Sequence, residues 1–236
     1  MPSESETQKR DEFIKSIQEE KPFKHIVQNL ENTFGEPQLA PKSDALAMLI
    51  KIILSQATSD ANSSRTFQNL KQRFKTWDNA LAAGETEIAD AIRLGGLANQ
   101  KAKVIKDLLY QLKEMRGTLS LKILEKMNDE DARDFLQKFR GIGPKTVACT
   151  LLFARHKEVF PLDTHIFRVL KRMGILPEKI NDTKAHKLLD ELVPSGKFYS
   201  LHVNLIRLGR KVCRPREPLC EQCPLIEYCD YGLTQI

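Results

Sequence analysis

Four of the five cysteines lie near the C-terminus in the pattern C-x6-C-x2-C-x5-C, as Cys213, Cys220, Cys223 and Cys229. An odd count with such clustering is a poor disulfide framework, whereas closely spaced thiolates in an intracellular protein are typical of a metal site. Tetrahedral zinc and iron–sulfur clusters both use four thiolates. Zinc sites usually contain two C-x2-C-like pairs, and this sequence has one. The spacing therefore favours an iron–sulfur cluster, with zinc as the alternative.

A glycine-rich turn between two expected helices has the composition of a phosphate-binding loop. It reads F-R-G-I-G-P-K-T-V-A from Phe139 to Ala148. Gly141 and Gly143 permit a tight turn and keep side chains out of the path of a ligand, and Pro144 suits the first position of a helix. The free N–H groups at that helix start form an anion site. The turn therefore predicts contact with a DNA backbone phosphate, the alternative being a simple hairpin connector.

Lys145 and Asp163 carry side chains able to cleave a glycosidic bond. A lysine at a helix N-terminus faces the unfavourable end of the helix dipole, and we expect this position, with partial burial, to favour the neutral nucleophilic amine. A carboxylate stabilises a sugar with oxocarbenium character and helps to activate the amine. Each residue also has an ordinary interpretation: a solvated or phosphate-binding lysine, and an aspartate that caps the next helix.

The elements that must position these residues are helices. Apolar periodicity is helical along nearly the whole chain, and an aromatic content of 7% with little β-branched alternation argues against an all-β sandwich. Cys149 lies on one apolar helix and is expected to be a packed core thiol. The sequence predicts an all-α protein with helices over 12–33 (divided near Pro22), 45–56, 63–74, 86–94, 99–115, 119–127, 131–138, 144–155, 164–173, 183–193 and 197–211.

Charge and hydropathy limit the partner and the compartment. The net charge of +6 is compatible with a polyanionic partner but does not establish one. No apolar run approaches the roughly 18–20 residues of a membrane span. Residues 1–21 are polar and of mixed charge, unlike a secretory signal or a transit peptide. We therefore expect the protein to stay in the compartment where it is made.

Together these strings resemble the endonuclease III branch of the helix-hairpin-helix DNA glycosylases. The resemblance runs from about residue 25 to 230, and the cysteine spacing is its most specific part. In the order of the family, the matching strings are L-S-Q-A-T-S-D (54–60), G-G-L-A-N-Q-K-A (95–102), G-I-G-P-K-T (141–146), L-D-T-H-I-F-R-V (162–169) and the four C-terminal cysteines.

The resemblance implies two α-helical domains with a DNA cleft between them. A six-helix barrel containing the helix-hairpin-helix motif is expected over residues 40–157. A second domain, built from both chain ends over 1–39 and 158–236, is expected to hold a [4Fe–4S] cluster on the four cysteines. The expected role of that cluster is structural, since base excision requires no electron.

The resemblance also implies a bifunctional enzyme, a DNA N-glycosylase and AP lyase. Lys145 matches the lysine that attacks the sugar, expels the base and forms a Schiff base before β-elimination nicks the strand, and Asp163 matches the catalytic aspartate. Because the target nucleotide must leave the helix, Gln56 matches the segment that fills its place and Leu97 matches an apolar wedge. The further expected DNA contacts are Gly141, Gly143, Thr146, His165, Arg214 and Arg216.

Two departures from the family pattern bear on these expectations. The family glutamine often lies one position later than Gln56, where this chain has Ala57, so the residue that fills the gap is open. The adenine-mismatch relatives carry a catalytic glutamate in the preceding helix and lack the lysine. Residues 45–55 contain no carboxylate and Lys145 is present, which disfavours that branch.

The expected function is removal of oxidised pyrimidines from double-stranded DNA in base excision repair, by a monomer in the cytoplasm of a prokaryote, associated with the nucleoid. One alternative is the same scaffold acting on another damaged or mismatched base, such as an oxidised purine or a mismatched thymine. Another is a non-catalytic DNA-structure-binding protein, which the presence of both Lys145 and Asp163 disfavours.

Overall fold

The computed structural model describes residues 4–235, with only the backbone described for residues 4–7 and 9. Within these residues the regular structure is helical and contains no strand, so the all-α prediction is confirmed. The helices are, in chain order, α1 (Glu4–Glu20), α2 (Phe23–Phe34), α3 (Ala45–Ser55), α4 (Asp60–Arg73), α5 (Trp77–Ala82), α6 (Glu85–Ala91), α7 (Ala98–Arg116), α8 (Asp129–Gln137), α9 (Pro144–Arg155), α10 (Thr164–Arg172), α11 (Asp182–Leu192), α12 (Phe198–Lys211) and α13 (Asp230–Leu233).

The chain folds into two compact units, which we call the central unit and the terminal unit. The central unit is the continuous segment Pro41–Lys157, and the terminal unit combines the residues up to Ala40 with those from Glu158 onward. The assignment of these units to a six-helix barrel and a cluster domain stays a prediction.

The core of the central unit is built around α3. Asp44 caps this helix, because its Oδ1 accepts a hydrogen bond from the Ala47 N–H at 2.6 Å. A helix that is apolar on most of its surface must be covered on several sides, and α3 packs on α4, α7 and α9. Its buried residues are Ala45, Leu46, Leu49, Ile50, Ile53 and Leu54.

The terminal unit joins segments from both ends of the sequence. Helix α2 packs on α12, where the Lys197 ammonium contacts carboxylate oxygens of Glu31 at 3.0 Å and Glu36 at 2.8 Å. The buried Lys21, just after α1, pairs with Asp230 at 2.6 Å. Polar contacts thus fasten the first helices to the last segment of the chain.

Short helices account for most differences from the predicted elements. The six-residue helix α5 was not predicted, because it is too short to show periodicity; its N-terminus is capped by the Thr76 hydroxyl. The predicted helix over 119–127 is a single 3₁₀ turn, Lys122–Glu125, and a 3₁₀ turn at Arg93–Gly95 follows α6. Short 3₁₀ turns also lie among the last cysteines, at Cys220–Gln222 and Ile226–Tyr228.

Within the described part of the chain, no helix combines the length and the apolar character that a membrane span requires.

Truncating Leu49 tests the role of α3 in the core. Leu49 is fully buried, and Leu49→Ala should lower the free energy of unfolding by about 2–5 kcal/mol through lost burial and a residual cavity. The matched control is Lys51→Ala on the exposed face of the same helix, which should change it by about 0.5 kcal/mol or less. Urea unfolding followed by circular dichroism measures both, and equal stability of the two variants would contradict this description of the core.

Candidate functional site

The glycine-rich turn connects α8 to α9 as a tight hairpin. Phe139 and Ile142 point into the core, at 1% and 6% exposure, and the Ile142 N–H donates to the Phe139 carbonyl at 3.2 Å. Gly141 has φ +80°, and a Cβ placed there would lie 3.0 Å from Val104 Cγ2. Gly143 is the N-cap of α9 with φ −86°, and a Cβ there would meet no atom within 4 Å. The turn is therefore anchored by its apolar residues while Gly143 leaves open space at the helix start.

The first turn of α9 holds Pro144, Lys145 and Thr146. Lys145 is exposed, so the partial burial expected of it is not observed, whereas its position at the helix N-terminus is. Thr146 is buried at 5% exposure, and its Oγ1 accepts a hydrogen bond from Gln56 Nε2 at 3.2 Å. Gln56 and Thr146, expected as separate DNA contacts, are thus brought together beside Lys145.

Two loops of the central unit, those at Ala57 and Leu97, hold a non-glycine residue in the left-handed region, as does the C-cap of α9 at His156. Ala57, after α3, has φ +52°, and Leu97, before α7, has φ +50°. Leu97 is also 53% exposed. Such conformations cost about 1–3 kcal/mol each and are concentrated at functional sites. These are the loops that sequence reasoning selected for insertion into DNA, and their backbones are strained.

One buried lysine links the end of α3 to the 3₁₀ turn before Leu97, the two segments that lead into these loops. The Lys101 ammonium donates to the Leu54 carbonyl at 2.9 Å and to the Gly95 carbonyl at 2.8 Å, and the residue is 3% exposed. Burial lowers the pKa of Lys101, since no carboxylate compensates for lost hydration. Sequence reasoning missed this residue. Its signal was the spacing that puts it on the buried face of α7 with Ile105, Leu108 and Leu112.

Asp163 is the N-cap of α10 in the terminal unit, whereas Lys145 belongs to the central unit. The Asp163 carboxylate is 9% exposed, and its Oδ1 accepts a hydrogen bond from the Ile166 N–H at 2.8 Å. The ordinary interpretation as a helix cap is therefore part of its role. The cap also fixes the direction of the carboxylate, because one of its two oxygens is bound to the helix.

His165 and Arg168 lie where α10 closely approaches α12. The His165 Nδ1 lies 3.3 Å from Arg168 Nη2, and that guanidinium donates to the carbonyls of Gly209 at 2.7 Å and Cys213 at 2.9 Å. A Cβ on Gly209 would lie 2.9 Å from His165 Cβ, so this helix contact requires a residue without a side chain. His165 is half-buried and is held by its neighbours on both helices.

Arg172, one turn after Arg168, fastens α10 to the loop of the first cysteine. Its Nη1 donates to the Arg214 carbonyl at 2.7 Å and contacts Cys213 Sγ at 3.3 Å, and its Nη2 donates to the Pro215 carbonyl at 3.0 Å. The guanidinium also lies 4.8 Å from the centre of the Tyr231 ring. Sequence reasoning missed this role, for which the i, i+4 spacing of two arginines was the available signal.

Four cysteines line one small cavity of about 20 Å³ in the terminal unit: Cys213, Cys220, Cys223 and Cys229. None of them is in a disulfide bond, and neither is Cys149, which is buried on α9 in the central unit. Burial raises the pKa of Cys223 to about 11, and the other three thiols of the cavity add to the rise. Burial likewise raises the pKa of Cys229. Four cysteines around one space fit a cationic metal group that would neutralise their thiolates.

Within residues 4–235, no three side chains of histidine, cysteine, aspartate or glutamate converge as they would around one metal ion. The cavity is shared by all four sulfurs, together with Arg172 and Leu219.

Arg214 and Arg216, the two arginines of the cysteine loop, differ in their exposure to solvent. Arg216 is exposed, as expected of a phosphate contact. Arg214 is half-buried and donates to the Glu217 carbonyl at 3.0 Å within the same loop. Glu217 adopts φ +47°, which marks the sharp turn that this hydrogen bond supports.

Comparison with known proteins gives matches along most of the chain. The family described as HhH-GPD superfamily base excision DNA repair protein matches residues 50–195. A protein of Arabidopsis thaliana described as a DNA glycosylase is 37% identical over 191 residues, or 77% of this chain and 65% of the plant protein. Endonuclease III of Sulfolobus acidocaldarius is 34% identical over 195 residues, or 82% of this chain and 85% of that enzyme.

A solved structure shares the fold. The trapped covalent intermediate of endonuclease III with DNA, in its estranged-adenine complex, has a TM-score of 0.76 at 24% identity and covers 92% of this chain and 98% of that one. The chain spans just under two thirds of the plant relative and most of the other two proteins. The family match and the identity to a full-length enzyme confirm the resemblance found in the motifs: the chain belongs to the endonuclease III family of DNA glycosylases, within the HhH-GPD superfamily of base excision DNA repair proteins.

Proposed function

We propose that this protein is a bifunctional glycosylase and AP lyase that removes oxidised pyrimidines from double-stranded DNA through a Schiff base on Lys145. The observation that carries this proposal is an exposed primary amine in the first turn of α9, directly after a hairpin whose glycine leaves the helix N-terminus open. Phosphate bound at the free N–H groups of that turn would bring the DNA backbone to the nucleophile.

The proposed reaction gives each of the two side chains its own role. The neutral Lys145 amine forms a bond to C1′ of the extruded nucleotide, the glycosidic bond breaks, and its electron pair leaves with the base, which takes up a proton. The amine then loses a proton and the sugar ring opens to the Schiff base. Loss of a proton from C2′ expels the 3′ phosphate. Asp163 stabilises the positive charge on the sugar during the first step.

The two strained loops of the central unit are proposed to hold the DNA open. The Leu97 side chain is exposed, and as a wedge it would unstack a base step. Gln56 reaches Thr146 through its amide, so it can occupy the space vacated beside the lysine hairpin. Gly141, Gly143, Thr146, His165, Arg214 and Arg216 are proposed as the remaining DNA contacts; Thr146 and Arg214 would act in part by supporting their neighbours.

We propose that Cys213, Cys220, Cys223 and Cys229 hold a [4Fe–4S] cluster. One cavity lined by all four sulfurs supports this ligand set. The cluster would supply rigidity rather than chemistry, because Arg168 and Arg172 fasten α10 to the loop that carries the first cysteine. The alternative is a zinc ion, and metal analysis of the purified protein distinguishes the two.

The proposed setting is the one that the family resemblance implies. The protein would act as a monomer on double-stranded DNA that contains a damaged base or an abasic site, in the nucleoid-containing cytoplasm of a prokaryote. Single-lesion duplexes with an oxidised pyrimidine, an oxidised purine or a mismatched thymine distinguish the proposed substrate from the alternatives.

Replacing the lysine tests the nucleophile. Lys145→Gln should abolish the borohydride-trapped adduct with an abasic duplex and lower single-turnover strand cleavage by about 10³-fold or more, because no amine remains to form the Schiff base. Lys138→Gln, which removes an equal charge from the same hairpin, should keep the adduct. An adduct that persists in Lys145→Gln means that another amine is the nucleophile.

A pair of glycine substitutions separates folding from phosphate contact. Gly141→Ala should destabilise the protein by about 1–2 kcal/mol, because φ is +80° and Val104 lies in the way. Gly143→Ala should leave stability nearly unchanged but weaken DNA binding by about 10-fold, since its methyl group would lie between the helix start and a phosphate. Thermal unfolding and fluorescence anisotropy measure the two effects. Wild-type DNA affinity in Gly143→Ala would contradict phosphate binding at this hairpin.

Metal analysis of the purified protein tests the cluster. We expect about four iron atoms and about four sulfides per chain, with broad visible absorbance. Cys223→Ser should lose this absorbance and unfold more easily, whereas Cys149→Ser should keep it, because Cys149 lies outside the cysteine cavity. A colourless protein with one zinc ion would overturn the iron–sulfur proposal.

A further inference from the structure

The segment that leads into Asp163 is buried and belongs to no helix or strand. Val159 and Phe160 are fully buried, Leu162 is 4% exposed, and Asp163 itself is 9% exposed. Buried backbone groups must find hydrogen-bond partners. Because no neighbouring strand provides them here, the partners have to come from side chains of the surrounding helices in the terminal unit.

Two buried histidines and an aspartate supply these partners. The His186 Nδ1 on α11 lies 2.8 Å from the Phe160 carbonyl oxygen, and the His202 Nδ1 on α12 lies 2.9 Å from the Pro161 carbonyl oxygen. Asp190 Oδ1 accepts from the Phe160 N–H at 2.7 Å. A carbonyl oxygen only accepts hydrogen bonds, so each imidazole must carry its proton on Nδ1 and donate it.

Additional contacts hold the same segment in place. The His202 ring packs edge-on against the Phe160 ring with centroids 6.0 Å apart. At the start of the segment, Glu158 Oε1 accepts from the Gly196 N–H at 2.7 Å. At its end, Asp163 is bound to the first turn of α10. The backbone that precedes the carboxylate is thus fixed at both ends and at successive carbonyls.

From this arrangement, which rests on the proposed function of Asp163, we infer that His202 and His186 are positioning residues for the catalytic carboxylate. His202 is the nearer of the two, because its carbonyl partner lies two residues before Asp163. Neither histidine touches substrate in this proposal. Their hydrogen bonds fix the approach of the chain to the cap, and misplacement of a reacting group by about 1 Å can lower a rate by about 10²-fold.

The test compares two substitutions of His202 that differ in one hydrogen-bond donor. In His202→Asn the amide Nδ2 can take the place of Nδ1 and donate to Pro161, whereas His202→Leu cannot donate. We expect base release under single-turnover conditions to slow by about 10- to 100-fold in His202→Leu and to recover to within about threefold of wild type in His202→Asn. His25→Leu, at an exposed position of α2, is the control and should not change the rate.

A double-mutant cycle separates positioning from general damage. If His202 acts through Asp163, then His202→Leu should slow the Asp163→Asn enzyme by less than about twofold, although it slows the wild type strongly. DNA affinity and visible absorbance should match the wild type in both backgrounds. Equal slowing in the two backgrounds, or a wild-type rate in His202→Leu, would overturn the inference.

Two further results keep the test decisive. If His202→Leu does not fold, His186→Leu and His186→Asn provide the same donor comparison at the Phe160 carbonyl, and equal rates for those two variants would also overturn the inference. Failure of the wild-type protein to release a base or to form the borohydride adduct would contradict the proposed function itself. Loss of positioning with an intact adduct concerns the histidines alone.

Discussion

Carbonyl groups without a helical partner, in loops and in the last turns of helices, set the main constraint on this protein. An all-helical chain has no neighbouring strands to satisfy them, and a buried acceptor without a donor destabilises the fold by about 1–3 kcal/mol. In this structure, polar side chains of the helices donate hydrogen bonds to these carbonyls. Lys101 donates to the carbonyls of Leu54 and Gly95, and Arg168 donates to those of Gly209 and Cys213. Imidazoles on α11 and α12 bind the carbonyls of the segment before Asp163. Each segment that the proposed function uses is therefore held by a side-chain donor for which no catalytic role is proposed.

This arrangement reconciles exposed, strained loops with a defined geometry. Ala57 and Leu97 occupy left-handed conformations that the chain would abandon if the loops were free. The Lys101 ammonium donates to the carbonyls of Leu54 and Gly95, which lead into these two loops. It therefore holds the loops in place without covering their exposed residues. In the terminal unit, Arg168 and Arg172 of α10, the helix that Asp163 caps, donate in the same way to backbone carbonyls of the cysteine loop. The buried Lys101 thus makes these two loops rigid from the protein interior, and the exposed side of the loops stays free for the DNA of the proposed function.

The sequence was sufficient for the features that depend on local spacing. The all-α class, the division near Pro22 and the helix start at Pro144 follow from periodicity and from turn residues close together in the chain. The shared cavity of the four cysteines agrees with their clustering, although the cluster itself stays a prediction. Lys145 illustrates the limit: its position at a helix start was readable, but its exposure depends on the packing of the whole unit.

Partners far apart in sequence were not predictable. Nothing near Lys101 in the sequence indicates its partner Leu54, and nothing near His202 indicates Pro161, because hydrogen bonds from side chains to the backbone leave no periodic pattern.

The division of the chain into two units affects how it folds during synthesis. Pro41–Lys157 is continuous and can fold as soon as it leaves the ribosome, whereas the other unit needs α12 to cover α2. The first helices must therefore wait, with their apolar faces uncovered, until α12 has been translated.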